Sequence, residues 1–187
     1  IDEGLVGSEM CIRDSSITLP PHPSNEDEIQ EVRDTVNNRT AKDVESIKNH
    51  DRVPFYAIKK YCDENGLIFH DGEFEDLIYS ANPIIGHFKK QFNRKRPIEI
   101  DPKLNTLPSQ TNKTASYPSG HAAQSRLVAR YVEEKFPEHG EGILKAGNEC
   151  GWGRVQAGFH YPSDYHIGNL LGEKMFIFMN RDDYGSS

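Results

Sequence analysis

The stretch from residue 89 to residue 164 contains three short clusters, KKQFNRKRP (89–97), PSGH (118–121) and RVQAGFHYPSD (154–164). Together they supply several cations, two histidines, a carboxylate and a Ser-Gly turn. A helical apolar period follows the turn, so its backbone N–H groups are predicted to lie at a helix start, where they and the helix dipole attract anions. This inventory suits the binding of a tetrahedral oxyanion and its transfer through a histidine.

The clusters offer a candidate residue for each step of phosphoryl transfer. Arginine and lysine match phosphate oxygens as a planar fork and a point charge. The predicted phosphate-binding residues are Lys89, Arg96, Ser119, Gly120 and Arg154. His160 is predicted to be the nucleophile, and Asp164, four residues further on, would accept from its Nδ1–H and leave Nε2 free. His121 is predicted to act first as general acid and then as general base.

This ordered set resembles the type 2 phosphatidic acid phosphatase and vanadium haloperoxidase superfamily, whose soluble bacterial members include the class A non-specific acid phosphatases. The family signature K-x6-RP, PSGH and SR-x5-H-x3-D is matched by residues 89–97, 118–121 and 154–164. One departure is Gly153, which stands where the family usually has serine, so a supporting hydroxyl is absent there. The resemblance implies that His160 becomes phosphorylated and that His121 handles the proton.

Helical periodicity dominates the chain, and no run alternates with a strand period. Helices are predicted over residues 25–49 with a break near 37–38, 54–66, 74–81, 83–92, 120–136, 143–157 and 162–178. We therefore expect an all-α, single-domain helical bundle over residues 24–182, of the acid phosphatase and vanadium haloperoxidase type. Residues 97–117 read as a loop that rims the pocket and helps to set substrate choice.

Composition limits the classes of function. The net charge is −7 and the hydrophobic fraction is 35%, which predicts a soluble protein that does not bind nucleic acid. The longest apolar run, Met175 to Met179, is far too short for a membrane span, so no integral membrane segment is expected. The expected partner is a small-molecule phosphate ester. The oligomeric state stays open, as does the choice between cytoplasm, periplasm and secretion.

The N-terminal segment is treated apart from the fold. Residues 1–15 show no helical or strand period and resemble a sequence-assembly artefact, with an ordinary disordered tail as the alternative, so the native N-terminus is not identified. Three prolines between residues 20 and 23 predict a stiff linker, which makes residues 1–23 a tail plus linker. Of the three cysteines, Cys11, Cys62 and Cys150, only the last two leave a disulfide open.

Other polar residues receive simpler interpretations. Lys90, Arg94 and Lys95 are expected to face water on a helix. The remaining histidines are expected to be surface or capping residues: His22, His50, His70, His87 and His139. Tyr117 and Trp152 favour core packing over a place in the pocket.

The prediction for function is a soluble, metal-independent phosphatase with no cofactor, acting on phosphomonoesters through a phosphohistidine. One alternative is a vanadate-dependent haloperoxidase, because vanadate has the shape of phosphate and could serve as a cofactor rather than an inhibitor. A second is a phosphate-binding module without turnover. A metal site of His160, Asp164 and His166, with His121 as fourth ligand, is disfavoured because arginines crowd it.

Overall fold

The computed structural model describes residues 17–180, and within that range the chain is helical with no strand. The α-helices are α1 (Asn25–Asn38), α2 (Ala41–His50), α3 (Tyr56–Glu64), α4 (Asp71–Phe92), α5 (Pro97–Ile100), α6 (Gly120–Lys135), α7 (Gly140–Gln156) and α8 (Pro162–Met179), with a 3-10 turn at Pro137–His139. The predicted all-α fold is confirmed. The predicted artefact at residues 1–15, with Cys11, lies outside the described residues.

The first two helices each begin after a polar N-cap residue. Ser24 Oγ accepts from the Asp27 backbone N–H at 3.3 Å, and Thr40 forms a reciprocal capping box with Asp43. Each cap satisfies backbone donors that a helix start leaves without an acceptor. The break between α1 and α2 falls at residues 39–40, just beyond the predicted position.

Helix α4 corrects the prediction of two helices separated at Pro83. A single helix runs from Asp71 to Phe92 with Pro83 inside it. A proline removes one intrahelical hydrogen bond and crowds the carbonyl four residues earlier. Here Pro83 and Tyr79 both lie on the exposed face, so water can solvate the freed carbonyl, while Ile84 and Ile85 beyond the proline are buried in the core. Packing on the inner face therefore carries the helix through the proline.

Helix α6 lies at the centre of the bundle, packed against α4, α7 and α8. One side chain cluster joins it to α3, to the start of α4 and to α7 through Phe55, Ile58, Cys62, Phe74, Val128, Ala129, Val132 and Ile143. A second joins it to α4 and α8 through Ala81, Ile84, Ile85, Phe88, Ala123, Leu127, Leu171 and Met175. Because α6 is held from both sides, the PSGH turn at its start has a fixed position.

Two glycines bring α8 against the start of α6. A Cβ atom on Gly168 would lie 2.6 Å from the carbonyl oxygen of Ser119, and one on Gly172 would lie 2.7 Å from that of Ala123. Only glycine permits this approach. The Ser119 N–H also donates to the carbonyl oxygen of Asp164 at 3.0 Å. The first turn of α8 therefore lies directly beside the PSGH turn.

The segment before α1 packs on the bundle. Tyr117 donates its hydroxyl to the carbonyl oxygen of Pro20 at 2.5 Å, and the His22 ring lies against the rings of Tyr117 and Phe92. Tyr117 is thus a packing residue, as expected, and so is Trp152, whose ring meets Tyr165 edge-on.

Cys62 and Cys150 are both buried and both free, so the disulfide left open by the sequence is not formed. Burial raises the pKa of the Cys62 thiol to about 11 and that of Cys150 to about 12. Both therefore act as small apolar residues of the core. No helix within residues 17–180 combines the length and apolar character needed to cross a membrane.

Candidate active site

The three sequence clusters meet at one cavity of about 370 Å³. The predicted site residues on its wall are Lys89, Arg96, Gly120, His121, Arg154 and His160. Asp164 lies behind His160 and is fully buried, and Ser119 is buried beneath the turn. Thr111 and Thr114 of the predicted loop also line the cavity, so the loop rims it as expected.

Both ring nitrogens of His160 have a hydrogen-bond partner, and the two partners fix one tautomer. Arg96 Nη1 lies 3.0 Å from Nε2, and Asp164 Oδ2 lies 3.1 Å from Nδ1. Arginine can only donate and a carboxylate can only accept, so Nε2 carries the lone pair and Nδ1 carries the proton. Burial and the charge of Arg96 lower the pKa of His160, which keeps the ring neutral. The lone pair of Nε2 is thus held at the wall of the cavity.

Asp164 stays ionised because several donors converge on it. Its Oδ2 accepts from Ser116 Oγ at 2.5 Å and from the Tyr161 backbone N–H at 2.9 Å. Burial alone would raise the pKa of Asp164, but the hydrogen bond from His160 and the charge of Arg94 outweigh burial and lower it. Asp164 is therefore a fixed acceptor for the imidazole.

Arg94 corrects the expectation that it faces water. Its side chain is fully buried, with Nη1 2.8 Å from Asp164 Oδ1 and Nη2 2.7 Å from Glu28 Oε2. The guanidinium also stacks over the Tyr161 ring, 3.8 Å from its centroid. Arg94 thus ties Asp164 to α1. Sequence reasoning missed it because α4 ends at Phe92 and the chain turns at Asn93, which has positive φ, so the helical period no longer indicates which side faces water.

His121 lies on the cavity wall at the second position of α6. Its Nε2 is 2.9 Å from the backbone carbonyl oxygen of Asp51, which can only accept, so Nε2 carries a proton and Nδ1 is left for proton exchange. Burial and the charge of Arg154 lower the pKa of His121 to about 3. The ring is therefore neutral unless a nearby anion offsets that cation.

Asp51, the C-cap of α2, is a site residue that sequence reasoning missed. Its Oδ1 lies 2.8 Å from Arg154 Nη1, and its carboxylate also accepts from Ser109, the Gln110 N–H and Thr111. Burial opposes ionisation, but the hydrogen bonds from Ser109 and Arg154 outweigh it and lower the pKa of Asp51. Asp51 lies 103 residues from Arg154, and no spacing in the sequence links them.

The cations of the site crowd one another. Lys89 Nζ donates to the carbonyl oxygen of Ala115 at 2.7 Å, and Arg96 Nε donates to that of Thr114 at 2.8 Å. Burial, with the charges of Arg96 and Arg154, lowers the pKa of Lys89 to about 7. An oxyanion held between these groups would relieve the repulsion.

Arg154 adds a second indication of an oxyanion site. Its Nη1 and Nη2 bond to Asp51 and Thr111, whereas its buried Nε has no hydrogen-bond partner among residues 17–180. A buried donor without an acceptor is costly. The side chain lines the cavity, so an anion there could supply the missing acceptor.

The two residues of the predicted turn have different roles. Ser119 Oγ accepts from the Ala122 N–H at 3.3 Å, and the Ser119 N–H donates to the backbone carbonyl oxygen of Asp164. The structure therefore does not bring Ser119 to the cavity wall. Gly120 does line it, and the N–H groups of Gly120 and His121 are the first of α6, which have no intrahelical acceptor. These two amides are the donors that the turn offers.

The departure from the family signature at Gly153 lies away from the cavity. A Cβ atom there would meet Ile47 Cγ1 at 3.2 Å, and Gly153 is not on the cavity wall. A serine side chain at this position would therefore start toward an apolar neighbour in this chain.

The alternative metal grouping of His160, Asp164 and His166 is not formed. His166 is exposed and its ring packs against Tyr165. Within residues 17–180 no three His, Cys, Asp or Glu side chains cluster as metal ligands would. His50 has the capping role expected of it, since its Nε2 accepts from the Ala57 N–H at 3.1 Å near the start of α3.

Sequence comparison places this arrangement among known proteins. The PAP2 superfamily profile matches residues 77–184. An acid phosphatase of Zymomonas mobilis is 36% identical over 101 residues, which cover 52% of this chain and 38% of the relative. A non-specific acid phosphatase of Salmonella typhimurium is 35% identical over 91 residues, covering 47% and 36%. The chain therefore spans less than two fifths of the length of these curated relatives.

Structural comparison gives the same fold. A transmembrane PAP2 type phosphatidylglycerolphosphate phosphatase from Bacillus subtilis aligns with a TM-score of 0.60 at 14% identity, covering 98% of this chain and 95% of that chain. At this identity the likeness concerns the fold alone. The profile match covers more than half of the chain and includes all three clusters, and the resemblance seen in the sequence is confirmed. This chain belongs to the PAP2 superfamily.

Proposed function

We propose that this protein hydrolyses phosphate monoesters in two steps through a phosphohistidine at His160, without a metal ion. The proposal rests on the tautomer of His160 and on the position of its ring at the cavity. Its Nε2 lone pair lies at a cavity that Lys89, Arg96 and Arg154 also line, while Asp164 holds the opposite nitrogen. A neutral imidazole among fixed cations is suited to attack an anionic phosphoryl group.

In the first step the Nε2 lone pair forms a bond to phosphorus as the P–O bond to the leaving group breaks. His121 gives a proton to the departing oxygen, which leaves as an alcohol. In the second step water attacks phosphorus, His121 takes a proton from the water, and the N–P bond breaks to release phosphate. Burial and the charge of Arg154 lower the pKa of His121; a dianionic substrate would offset the second of these causes and so favour the protonated ring that the first step needs.

The cations and two amides stabilise the charge that develops on the phosphoryl oxygens. Arg96 Nη1 lies 3.0 Å from Nε2, so a phosphoryl oxygen would compete with the imidazole for this donor and release the lone pair. Lys89 and Arg154 would hold the other equatorial oxygens, with the N–H groups of Gly120 and His121. These side chains supply the positive charge that a metal ion provides in other phosphatases.

The proposal is tested by trapping the intermediate. Rapid quenching with a radiolabelled phosphate ester should give protein-bound phosphate that survives alkali, is lost in acid and maps to the peptide containing His160. His160→Gln should abolish both the label and turnover, whereas His87→Ala, at an exposed histidine on α4, should change neither. Turnover should survive EDTA and fall with vanadate.

Two outcomes would contradict the proposal. Turnover lost in EDTA and restored by a divalent cation would overturn metal independence. Tight phosphate binding with neither label nor turnover would identify a binding module instead.

A further inference from the structure

The cavity continues beyond the cations along one face of α4. Ile78, Asn82, Ile85, Gly86 and Lys89 all line it and recur at helical spacing. Ile78 precedes Lys89 by eleven residues, which corresponds to about 16 Å along the helix axis. A phosphoryl group held at Lys89 therefore fills one end of the cavity and leaves the end near Ile78 for the rest of the substrate.

The size of the cavity agrees with this division. At about 370 Å³ it lies within the range of pockets that enclose small organic ligands, about 300–1,000 Å³. A water molecule occupies about 30 Å³ in the liquid, so the cavity could hold about a dozen such volumes, far more than one phosphoryl group needs.

The end of the cavity near Ile78 has an apolar wall. Ile78, Ile85 and Pro54 form its wall, and Gly86 adds no side chain. The amides of Asn82 and Gln124 also lie there, but Gln124 Nε2 donates to Asn82 Oδ1 at 2.8 Å, so the pair partly satisfies itself. A sugar hydroxyl against Pro54, Ile78 or Ile85 would lose water and find no partner on these side chains, whereas an alkyl or aryl group would gain from burial.

We propose that this wall, formed by Pro54, Ile78, Ile85 and the open face of Gly86, is a leaving-group site that selects phosphate monoesters with an apolar alkyl or aryl group over sugar phosphates. The selectivity rests on the proposed phosphatase function, but the binding preference can be measured without turnover. Arg52 lies at the exposed rim of the cavity and bonds to Gln110, so the wall itself carries no charge.

Gly86 gives the site a specific test. A Cβ atom there would meet nothing within 4 Å and Gly86 lines the cavity, so the side chain of Gly86→Leu starts in open space at the cavity wall. Gly72 is also on α4 with open space around its Cβ position, but it does not line the cavity. Gly72→Leu is therefore the matched control.

Turnover is measured on methyl, butyl and hexyl phosphate, whose leaving groups are all primary alcohols, with glucose 6-phosphate as the polar counterpart of the hexyl ester. We expect kcat/KM to rise with chain length by up to about fourfold per buried methylene. Hexyl phosphate should exceed glucose 6-phosphate. Gly86→Leu should lower kcat/KM for hexyl phosphate more than for methyl phosphate and so flatten the dependence on chain length, and Gly72→Leu should behave as wild type.

A second measurement separates this inference from the proposed function. Alkylphosphonates cannot be hydrolysed at their P–C bond, so their dissociation constants, from calorimetry on the wild-type protein, report on the wall whether or not the protein is a phosphatase. Affinity should rise from methyl- to hexylphosphonate. Affinity independent of chain length, or a higher kcat/KM for glucose 6-phosphate than for hexyl phosphate, would overturn the leaving-group site even if phosphohistidine is trapped.

Discussion

The two histidines of the site are held by different aspartates in different ways. Asp164 is fully buried and uses its carboxylate to hold the ring of His160 at 3.1 Å. Asp51 is partly exposed and holds His121 through its backbone carbonyl, while its carboxylate bonds to Arg154 and to the loop at residues 109–111. One aspartate orients an imidazole with a charge, and the other does so with a backbone dipole.

This difference predicts which of the two aspartate side chains tolerates substitution. Changing the side chain at position 164 removes the acceptor for the His160 Nδ1–H and leaves Glu28 as the carboxylate paired with Arg94 within residues 17–180. Changing the side chain at position 51 leaves the carbonyl that holds His121 in place. The carboxylate of Asp164 should therefore control nucleophilic attack, and the carboxylate of Asp51 should control the position of Arg154.

The largest effect is expected from Asp164→Asn. An asparagine can donate to Nδ1 and so favour the tautomer with a proton on Nε2, which has no lone pair for phosphorus. We expect kcat to fall about 10²–10⁴-fold, together with the yield of labelled His160. The melting temperature should also fall, because a buried charge pair with Arg94 is broken.

The control for this change is Asp101→Asn. Asp101 also pairs with an arginine, at 2.7 Å from Arg33, but it does not line the cavity. It should leave kcat unchanged. If Asp164→Asn also kept the wild-type kcat while folded, Asp164 would not set the tautomer of His160.

A smaller effect is expected from Asp51→Asn. The backbone carbonyl still holds His121, but Arg154 and the loop lose a charged acceptor. A charge-assisted hydrogen bond contributes about 1.5–3 kcal/mol, so kcat should fall about ten- to a hundredfold. Inhibition by phosphate should change little, because the charge of Arg154 remains.

Steady-state kinetics on Asp51→Asn and Asp164→Asn in parallel would check this split. An equal loss of kcat in the two variants would show that the two aspartate side chains do not have the different roles assigned to them.

The smallest effect concerns Lys89, whose ammonium is influenced both by Asp164 and by Arg154, the partner of Asp51. Burial, Arg96 and Arg154 lower its pKa to about 7, while Asp164 opposes the shift. Lys89 is a cation below that pKa and neutral above it, so anion binding should weaken as pH rises through 7, by at most about tenfold per pH unit. Sulfate is a suitable probe because its charge does not change over this range.

Lys89→Arg should flatten this dependence, because the guanidinium stays charged. Lys90→Arg, at the exposed neighbouring position, should keep the wild-type profile. Sulfate inhibition constants between pH 5 and 9 would measure both. A profile unchanged in Lys89→Arg would show that another group titrates.

Several parts of the molecule could be predicted because they depend on short stretches of chain. The short spacing of His160 and Asp164 allowed their contact to be predicted, although His160 precedes α8 and Tyr161 between them is extended, so Asp164 reaches back from the first turn of the helix. Pro83 was misread for the opposite reason. The proline is locally unfavourable in a helix, and only burial of the residues around it overrides that preference.

The sequence alone determined the helical class, the superfamily and the residues of the three clusters, because each depends on the order of residues over a few helical turns. Tertiary structure decided that Asp51 meets Arg154, that Arg94 turns inward to Asp164, and that the Ser119 N–H donates to the carbonyl oxygen of Asp164. It also decided that an apolar wall on α4 adjoins the cations. These contacts join segments that are distant in the chain, and only the packing of the helices brings them together.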